Sequence, residues 1–165
     1  MFRRRWPAIP PPVCGGVDVH GRRRLSAQTD LTLEVLRIVA FESGVSVHLA
    51  LTATGAPAEK ARHQTRPLTD PADHCARWSY LAVRAGVENT DAEAQADAYL
   101  PRPDIATSCA GLTAYRTEPR YWLGIPPPVR AVTLTAGWPQ IGLAPTTETM
   151  VLDVIEQRSN GNPRR

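Results

Sequence analysis

The chain has 165 residues, of which 42% are apolar, and a formal net charge of +3, so we expect one domain with its own core. No apolar run approaches the roughly 20 residues of a membrane-spanning helix, and the three scattered cysteines do not match the dense, even set of a small secreted domain. Prolines at 10–12 interrupt the position where a secretory signal would be apolar, so we expect a cytoplasmic protein without a membrane span.

The positive charge is concentrated at the two ends of the chain. Six arginines and one aspartate give residues 1–24 a net charge of +5, whereas residues 25–157 carry −5 and residues 158–165 carry +3. Residues 1–28 are also rich in Pro, Arg and Gly and have no apolar period, which predicts a flexible basic arm. The predicted domain therefore spans 29–157, and the last eight residues are predicted to be a disordered tail.

The first predicted strand pair follows the arm directly. Apolar and polar residues alternate from residue 31, the phase shifts near Leu36, and the run continues to residue 41. Such a shift predicts a β-bulge or a strand buried on both faces. Glu42-Ser43-Gly44 is a turn signal, and strict alternation resumes over 45–54. The pattern predicts a hairpin of strands 31–41 and 45–54.

The middle of the chain predicts a connector and a third strand. Residues 55–76 contain Pro57, Pro67 and Pro71, which argue against a long helix or a central strand. We therefore expect a connector there. Alternation returns over 77–87 and predicts the third strand.

Residues 88–99 fit two different structures. Thr90-Asp91-Ala92-Glu93 matches a helix-capping box, whereas the acidic and amide residues at alternate positions of the same segment are typical of an exposed edge strand. The surrounding β pattern favours a turn near 89–93 and a strand near 94–99.

The last third predicts the remaining strands. They are 105–116 (a short strand or a loop), 120–125, 129–138 and 147–155. Three consecutive prolines end the strand at 120–125, and Pro139, Gly142 and Pro145 predict a wide turn before the last strand. The whole pattern predicts an all-β chain, an antiparallel β-sandwich of about seven strands with immunoglobulin-like architecture and little helix.

Several short motifs lie in this last third. They are Tyr121-Trp122, Pro126-Pro127-Pro128, Trp138-Pro139, Gly142-Leu143 and a Thr-rich segment from Thr146 to Asp153. Together with the hairpin from Leu31 to Thr54, they resemble a family of uncharacterised actinobacterial proteins. The resemblance implies a β-sandwich and implies no catalytic residue.

Trp122 and Trp138 are the residues around which we predict a binding site. Both lie beside prolines at strand ends, and large aromatic side chains occur both in cores and as the central residues of binding surfaces. One interpretation is an aromatic cap over the sandwich core. The other is a docking surface for a protein partner. The residues of this surface would be Arg120, Tyr121, Trp122, Pro128 and Trp138.

Catalytic and metal-binding patterns do not occur in the sequence. His63, His74 and Cys75 lie in one connector without the close pairs of a zinc site, and there is no nucleophile elbow or Gly-rich phosphate loop. Ser46 and His48 share the polar phase of one strand, which we interpret as incidental. We predict no catalytic residue, metal or cofactor. An enzyme would have to bring His48 or His74 together with a carboxylate.

The sequence thus predicts a non-enzymatic interaction or accessory domain with a protein partner. One alternative is binding of nucleic acid or an anionic surface through the arginines of the N-terminal arm, although the acidic remainder of the chain would repel a duplex. The second alternative is a small hydrolase-type enzyme. The proline runs at 10–12 and 126–128 are also compatible with peptide recognition.

Overall fold

The computed structural model describes residues 5–64, 81–87, 93–99, 104–107, 113–125 and 128–153, most of which lie in β-strands. In chain order the strands β1 to β12 are Arg5–Trp6, Val17–His20, Arg23–Gln28, Leu31–Phe41, Gly44–Thr54, Ala82–Val87, Ala94–Ala96, Asp104–Thr107, Thr113–Thr117, Arg120–Leu123, Ala131–Trp138 and Leu143–Val151. A helix, α1, spans Gly55–Gln64, and a 3-10 turn spans Pro139–Ile141.

The strands form two sheets with a shared core. The five-stranded sheet has the order β1-β7-β6-β11-β12, and the seven-stranded sheet has the order β2-β4-β5-β9-β8, with β3 also on β4 and β10 also on β5. The pairing of β1 with β7 is parallel, and the other strand pairs are antiparallel. The predicted all-β, sandwich-like class is therefore confirmed, whereas the immunoglobulin-like architecture stays a prediction.

The core lies between the sheets and uses one phase of each long strand. The inward side chains of β11 are Val132, Leu134 and Ala136, and those of β5 are the apolar residues at 45, 47, 49, 51 and 53. Burying such side chains removes apolar surface from water at roughly 25 cal/mol per Å². The period of two in the sequence therefore corresponds directly to the buried face.

The hairpin of β4 and β5 is the one that the alternation predicts. The two strands pair along their whole length, and the register shifts between Val35 and Arg37. Leu36 is thus the extra residue of the predicted β-bulge. The turn after β4 needs Gly44, because a Cβ there would lie 2.3 Å from the carbonyl oxygen of Leu123 on β10.

Residues 5–28 are not a flexible arm, and this part of the sequence prediction is wrong. β1 carries Trp6 into the core, where Nε1 donates to the carbonyl oxygen of Ala85 at 2.9 Å. β2 and β3 pair with β4 and bury Val19 and Leu25. These apolar residues are too widely spaced to form a visible period, but each is buried by strands distant in the chain.

Three arginines of the N-terminal segment are paired with acidic residues that lie later in the chain. The pairs are Arg5 with Asp97, Arg22 with Glu34 and Arg23 with Glu148. Exposed pairs of this kind typically contribute less than about 1 kcal/mol each. The opposite charges of the two parts of the sequence therefore meet within the fold, while apolar burial supplies most of the attachment.

Backbone hydrogen bonds join the two sheets at both edges. At one edge the amide of Asp153 donates to the carbonyl oxygen of Val19 at 2.9 Å. At the other edge the chain that leaves β7 runs beside β10, and the amide of Tyr99 donates to the carbonyl oxygen of Arg120 at 3.0 Å. This second link holds Tyr99 next to the seven-stranded sheet.

Helix α1 corrects the prediction that residues 55–76 are only a connector. Pro57 is tolerated because it lies in the first turn, where backbone N–H groups have no partner within the helix. Ala58 and Ala61 are fully buried, so the helix packs on β9 and the 3-10 turn through small side chains. Within the ranges that the structure describes, no helix is long and apolar enough to cross a membrane.

The connection from β11 to β12 is tighter than the predicted wide turn. The 3-10 turn ends at Gly142, whose φ of 94° is a left-handed conformation that glycine adopts without strain. β12 therefore begins at Leu143, four residues before the predicted start, and Pro145 lies within the strand. A Cβ on Gly137 would lie 2.8 Å from Pro145, so these two strand ends approach closely.

β7 confirms the strand prediction near residue 94 and corrects its position. Ala94 and Ala96 are buried, and β7 lies between β1 and β6 instead of at an edge of the sheet. The predictions for residues 77–80, for most of the turn near 89–93 and for the tail at 158–165 fall outside the described residues.

Candidate functional site

Trp138 lies in the core. It is 1% exposed, and its ring meets Tyr115 edge-on with centroids 6.0 Å apart. Its Nε1 is buried and has no hydrogen-bond partner among the described residues. A partner could touch Trp138 only if the sheets separated, so this residue does not belong to an exposed surface.

The other predicted site residues are divided between the two sides of the seven-stranded sheet. Tyr121 points into the core, where burial and, to a smaller extent, Asp97 raise its pKa well above the ordinary value. Arg120 and Trp122 alternate with Tyr121 and point to the opposite side, the outer face of this sheet. Pro128 is exposed on the segment between β10 and β11. The five predicted residues therefore do not form one surface.

The outer face carries a row of polar side chains that we call the Arg37–His48–Arg120 row. Arg37 on β4 and Arg120 on β10 are the direct cross-strand neighbours of His48 on β5. Such neighbours have Cβ atoms about 4.5–5.5 Å apart, so both guanidinium groups flank the same imidazole. In the next row Ser46 lies beside Trp122.

A chain of hydrogen bonds runs from this row to Tyr99. Arg37 Nε donates to His48 Nδ1 at 3.3 Å, His48 Nε2 lies 3.1 Å from Ser46 Oγ, and Ser46 Oγ lies 2.8 Å from the Tyr99 hydroxyl. At the centre of these hydrogen bonds, Ser46 is 0% exposed and His48 is 7% exposed. Polar groups buried to this extent require partners, and here each one has a partner.

The arginine sets the direction of the first two hydrogen bonds. A guanidinium N–H can only donate, so Nδ1 of His48 accepts, and the neutral ring carries its hydrogen on Nε2. Nε2 then donates to Ser46, whereas either hydroxyl can be the donor in the bond between Ser46 and Tyr99. When Ser46 is the donor, the hydroxyl hydrogen of the half-buried Tyr99 points away from Ser46.

His48 is held neutral within the row. Burial lowers its pKa to about 4, and the positive charges of Arg120 and Arg37 act in the same direction. Asp18 acts in the opposite direction, because a carboxylate favours the protonated ring. At neutral pH the row therefore carries two positive charges and one uncharged imidazole.

Arg120 has no acidic partner in the part of the chain that the structure describes, although it is half-buried. Arg37 lies 3.7 Å from Asp18, and nearby Arg116 lies 2.6 Å from Glu118. A half-buried charge without a partner is unfavourable, because it loses part of its hydration without a compensating ion. Arg120 therefore leaves the row with unbalanced positive charge.

The geometry is unsuited to nucleophilic catalysis. A serine nucleophile needs a base that can accept its proton, but His48 Nε2 already carries a hydrogen and donates it to Ser46. Ser46 is also fully buried. Within the described ranges, no group of three or more His, Cys, Asp or Glu side chains could hold a metal ion.

The alternation in β5 placed Ser46 and His48 on the polar phase but did not indicate that this phase is buried. Arg37 and Arg120 come from strands that are far apart in sequence, and a local pattern cannot show that they flank one histidine. The signal that was available is a histidine in the centre of the most regular strand.

Comparisons with protein-family models, curated proteins and solved structures find no match for this chain. The resemblance to the actinobacterial family therefore stays a prediction.

Proposed function

We propose that this protein is a non-enzymatic interaction module of the cytoplasm that binds a protein partner through the outer face of the seven-stranded sheet. The observation that carries the proposal is the Arg37–His48–Arg120 row. There a half-buried Arg120 lacks an acidic partner in the described part of the chain. A partner that covers the row could balance this charge.

The side chains beside the row support a protein partner. Trp122 lies two residues after Arg120 on β10 and packs edge-on against Phe41 of β4, with ring centroids 5.6 Å apart. Tryptophan and arginine are enriched among the residues that dominate binding energy at protein interfaces. Arg120 thus keeps the role proposed for it, whereas Trp122 is only 8% exposed and packs beside Arg120 within the outer face. Tyr121 and Trp138 lie on the core side.

The two alternative functions have less support. Binding through the N-terminal arginines is disfavoured because Arg5, Arg22 and Arg23 are paired with carboxylates of the same chain. A hydrolase is disfavoured because the direction of the hydrogen bonds prevents His48 from activating Ser46.

The test is a charge reversal on the row with a matched control elsewhere. Arg120→Glu reverses the half-buried charge of the row, whereas Arg130→Glu makes the same change at an exposed arginine that precedes β11. Proteins captured from native lysate by the wild-type chain are identified and purified, and their binding to all three chains is measured by calorimetry. Thermal unfolding confirms that both variants are folded.

We expect one captured protein to bind the wild-type chain and Arg130→Glu equally and Arg120→Glu at least about tenfold more weakly, since a tenfold change is about 1.4 kcal/mol. Equal binding by the two variants would place the interface elsewhere. Ester hydrolysis by the wild-type chain that Ser46→Ala abolishes would instead favour the enzyme alternative.

A further inference from the structure

The net positive charge of the Arg37–His48–Arg120 row would be balanced by an anion with one negative charge. Arg37 and Arg120 contribute two positive charges, and His48 between them is neutral. Among the described residues, Asp18 is the carboxylate paired with the row, at 3.7 Å from Arg37, and its side chain is 66% exposed. The row with Asp18 therefore has a net charge of +1, which a monoanion would balance and a phosphate dianion would exceed.

Hydrogen-bond donors flank His48 on both sides. Arg120 has all its N–H groups uncommitted to any other described side chain. The Tyr99 hydroxyl is the last group of the hydrogen-bonded series from His48 through Ser46, and it can donate outward while its oxygen accepts from Ser46. The amide of Tyr99 is bonded to the carbonyl oxygen of Arg120, so the phenol and the guanidinium come from adjacent backbone positions.

His48 has a positioning role in this arrangement. Its Nδ1 accepts from Arg37 Nε at 3.3 Å, which fixes the guanidinium plane, and its Nε2 orients Ser46 and, through Ser46, Tyr99. A protonated imidazole could not accept from Arg37. The neutral ring is thus required for the donors to hold this direction.

Building on the proposed function, we propose that Arg37, Arg120 and Tyr99 bind a carboxylate of the partner, supplied by an Asp or Glu side chain or by a chain terminus. The planar fork of a guanidinium matches the two oxygens of a carboxylate, and the phenol supplies a neutral donor beside it. No covalent step is involved. His48 and Ser46 position the donors and do not touch the carboxylate.

The probe is N-acetylglycine, which carries one carboxylate, and its neutral match is N-acetylglycinamide. Both are titrated at constant ionic strength near pH 7 into chain labelled with ¹⁵N, while the ring nitrogens of His48 are followed by NMR. Inorganic phosphate is titrated in a parallel arm. The variants are Arg120→Gln and Tyr99→Phe, and Arg130→Gln is the control for loss of one positive charge.

We expect saturable shifts of the His48 signals with N-acetylglycine and none with N-acetylglycinamide. Arg120→Gln should weaken binding about tenfold, since a hydrogen bond to a charged group is typically worth more than 1.4 kcal/mol. Tyr99→Phe should weaken binding less, and Arg130→Gln should bind like the wild-type chain.

Equal responses to the acid and the amide, or equal weakening by Arg120→Gln and Arg130→Gln, would overturn the carboxylate site. Tighter binding of phosphate than of N-acetylglycine would overturn the assignment to a carboxylate. These results are distinct from failure of the proposed function. If a partner protein binds in a way that depends on Arg120 but N-acetylglycine gives no response, the proposed interaction module is retained and the carboxylate site is rejected.

Discussion

The outer faces of the two sheets both carry hydrogen-bonded polar side chains, but in different surroundings. On the five-stranded sheet Thr133 bonds to Thr149 and Thr135 bonds to Thr147, each at 2.9 Å, and these hydroxyls lie at the surface. On the seven-stranded sheet the bond between Ser46 and His48 is buried. The same kind of contact is thus solvated on one face and dehydrated on the other.

This difference matters because water can replace a lost partner only on the solvated face. A threonine of the five-stranded sheet that loses its neighbour can bond to solvent, so the net contribution of that bond is small. Around Ser46 no such replacement is at hand, and each polar atom depends on the next one in the chain. On the dehydrated face, hydrogen-bond partners are therefore supplied by protein groups and not by water.

The largest expected effect is a loss of stability, and it distinguishes a ring in the core from a ring on the outer face of the seven-stranded sheet. Trp138→Ala removes a fully buried ring between the sheets and should lower the free energy of unfolding by about 3–5 kcal/mol. Trp122→Ala acts on the outer face, where the ring is 8% exposed and lies outside the core cluster, and should cost less. Denaturant unfolding of both variants measures the difference. A larger loss for Trp122→Ala would show that this ring belongs to the core.

A smaller effect compares one hydroxyl on each face. Ser46→Ala leaves the N–H of His48 without an acceptor in a buried site and should cost about 1–3 kcal/mol. Thr149→Val removes an exposed hydroxyl while it keeps the branched shape, and should change stability by less than about 0.5 kcal/mol. Chemical unfolding at neutral pH gives both values. Equal values would mean that the two faces are solvated alike.

The third effect is a pH dependence that only the dehydrated face should have. The pKa of His48 is about 4 in the folded chain and near 6.5 when unfolded, so between these values the unfolded chain binds a proton that the folded chain does not. The stability conferred by the neutral ring is complete above about pH 6.5 and is lost as the pH falls towards 4.

The expected slope from this one group is at most about 1.4 kcal/mol per pH unit. His48→Gln removes the titrating group, so the difference in unfolding free energy between the two chains should depend on pH only within this window. Urea unfolding at several pH values between 4 and 8 measures that difference. Parallel curves for the two chains would contradict a neutral, dehydrated His48.

Much of the fold could be predicted from local patterns. Strict alternation located β4 and β5 to within one residue, and the phase shift at Leu36 identified the bulge between them. Both features depend on neighbours within the hairpin, since successive side chains of a strand point to opposite faces. The prolines after β10 and at the end of β11 likewise marked where those strands end.

The N-terminal strands could not be predicted in this way. Arg5 and Trp6 pair with Gln95 and Ala96 of β7, about ninety positions away in the chain, so a two-residue strand has no local period to reveal it. Proline and arginine content suggested an arm, whereas the acidic residues that complement those arginines lie in later strands. A proline disrupts a helix only at positions after the first turn, and Pro57 lies in the first turn of α1, so proline content does not reveal this helix.

The candidate site was only half visible in the sequence. The sequence predicts Arg120 and Trp122 as site residues together with Tyr121 and Trp138, but the latter two point into the core. Adjacent residues of a strand cannot share a face, so half of that grouping already conflicted with the predicted strand.

By itself the sequence determined the class of the fold, the phase of the long strands and the bulge, because these follow from side chains a few positions apart. The tertiary structure decided which polar phase is buried. His48 and Thr133 occupy equivalent polar positions on their strands, but His48 is buried and Thr133 is partly exposed. It also decided that Arg37, Arg120 and Tyr99 meet around one histidine. Hydration and charge balance depend on every strand that surrounds a group, and a local pattern contains no record of those strands.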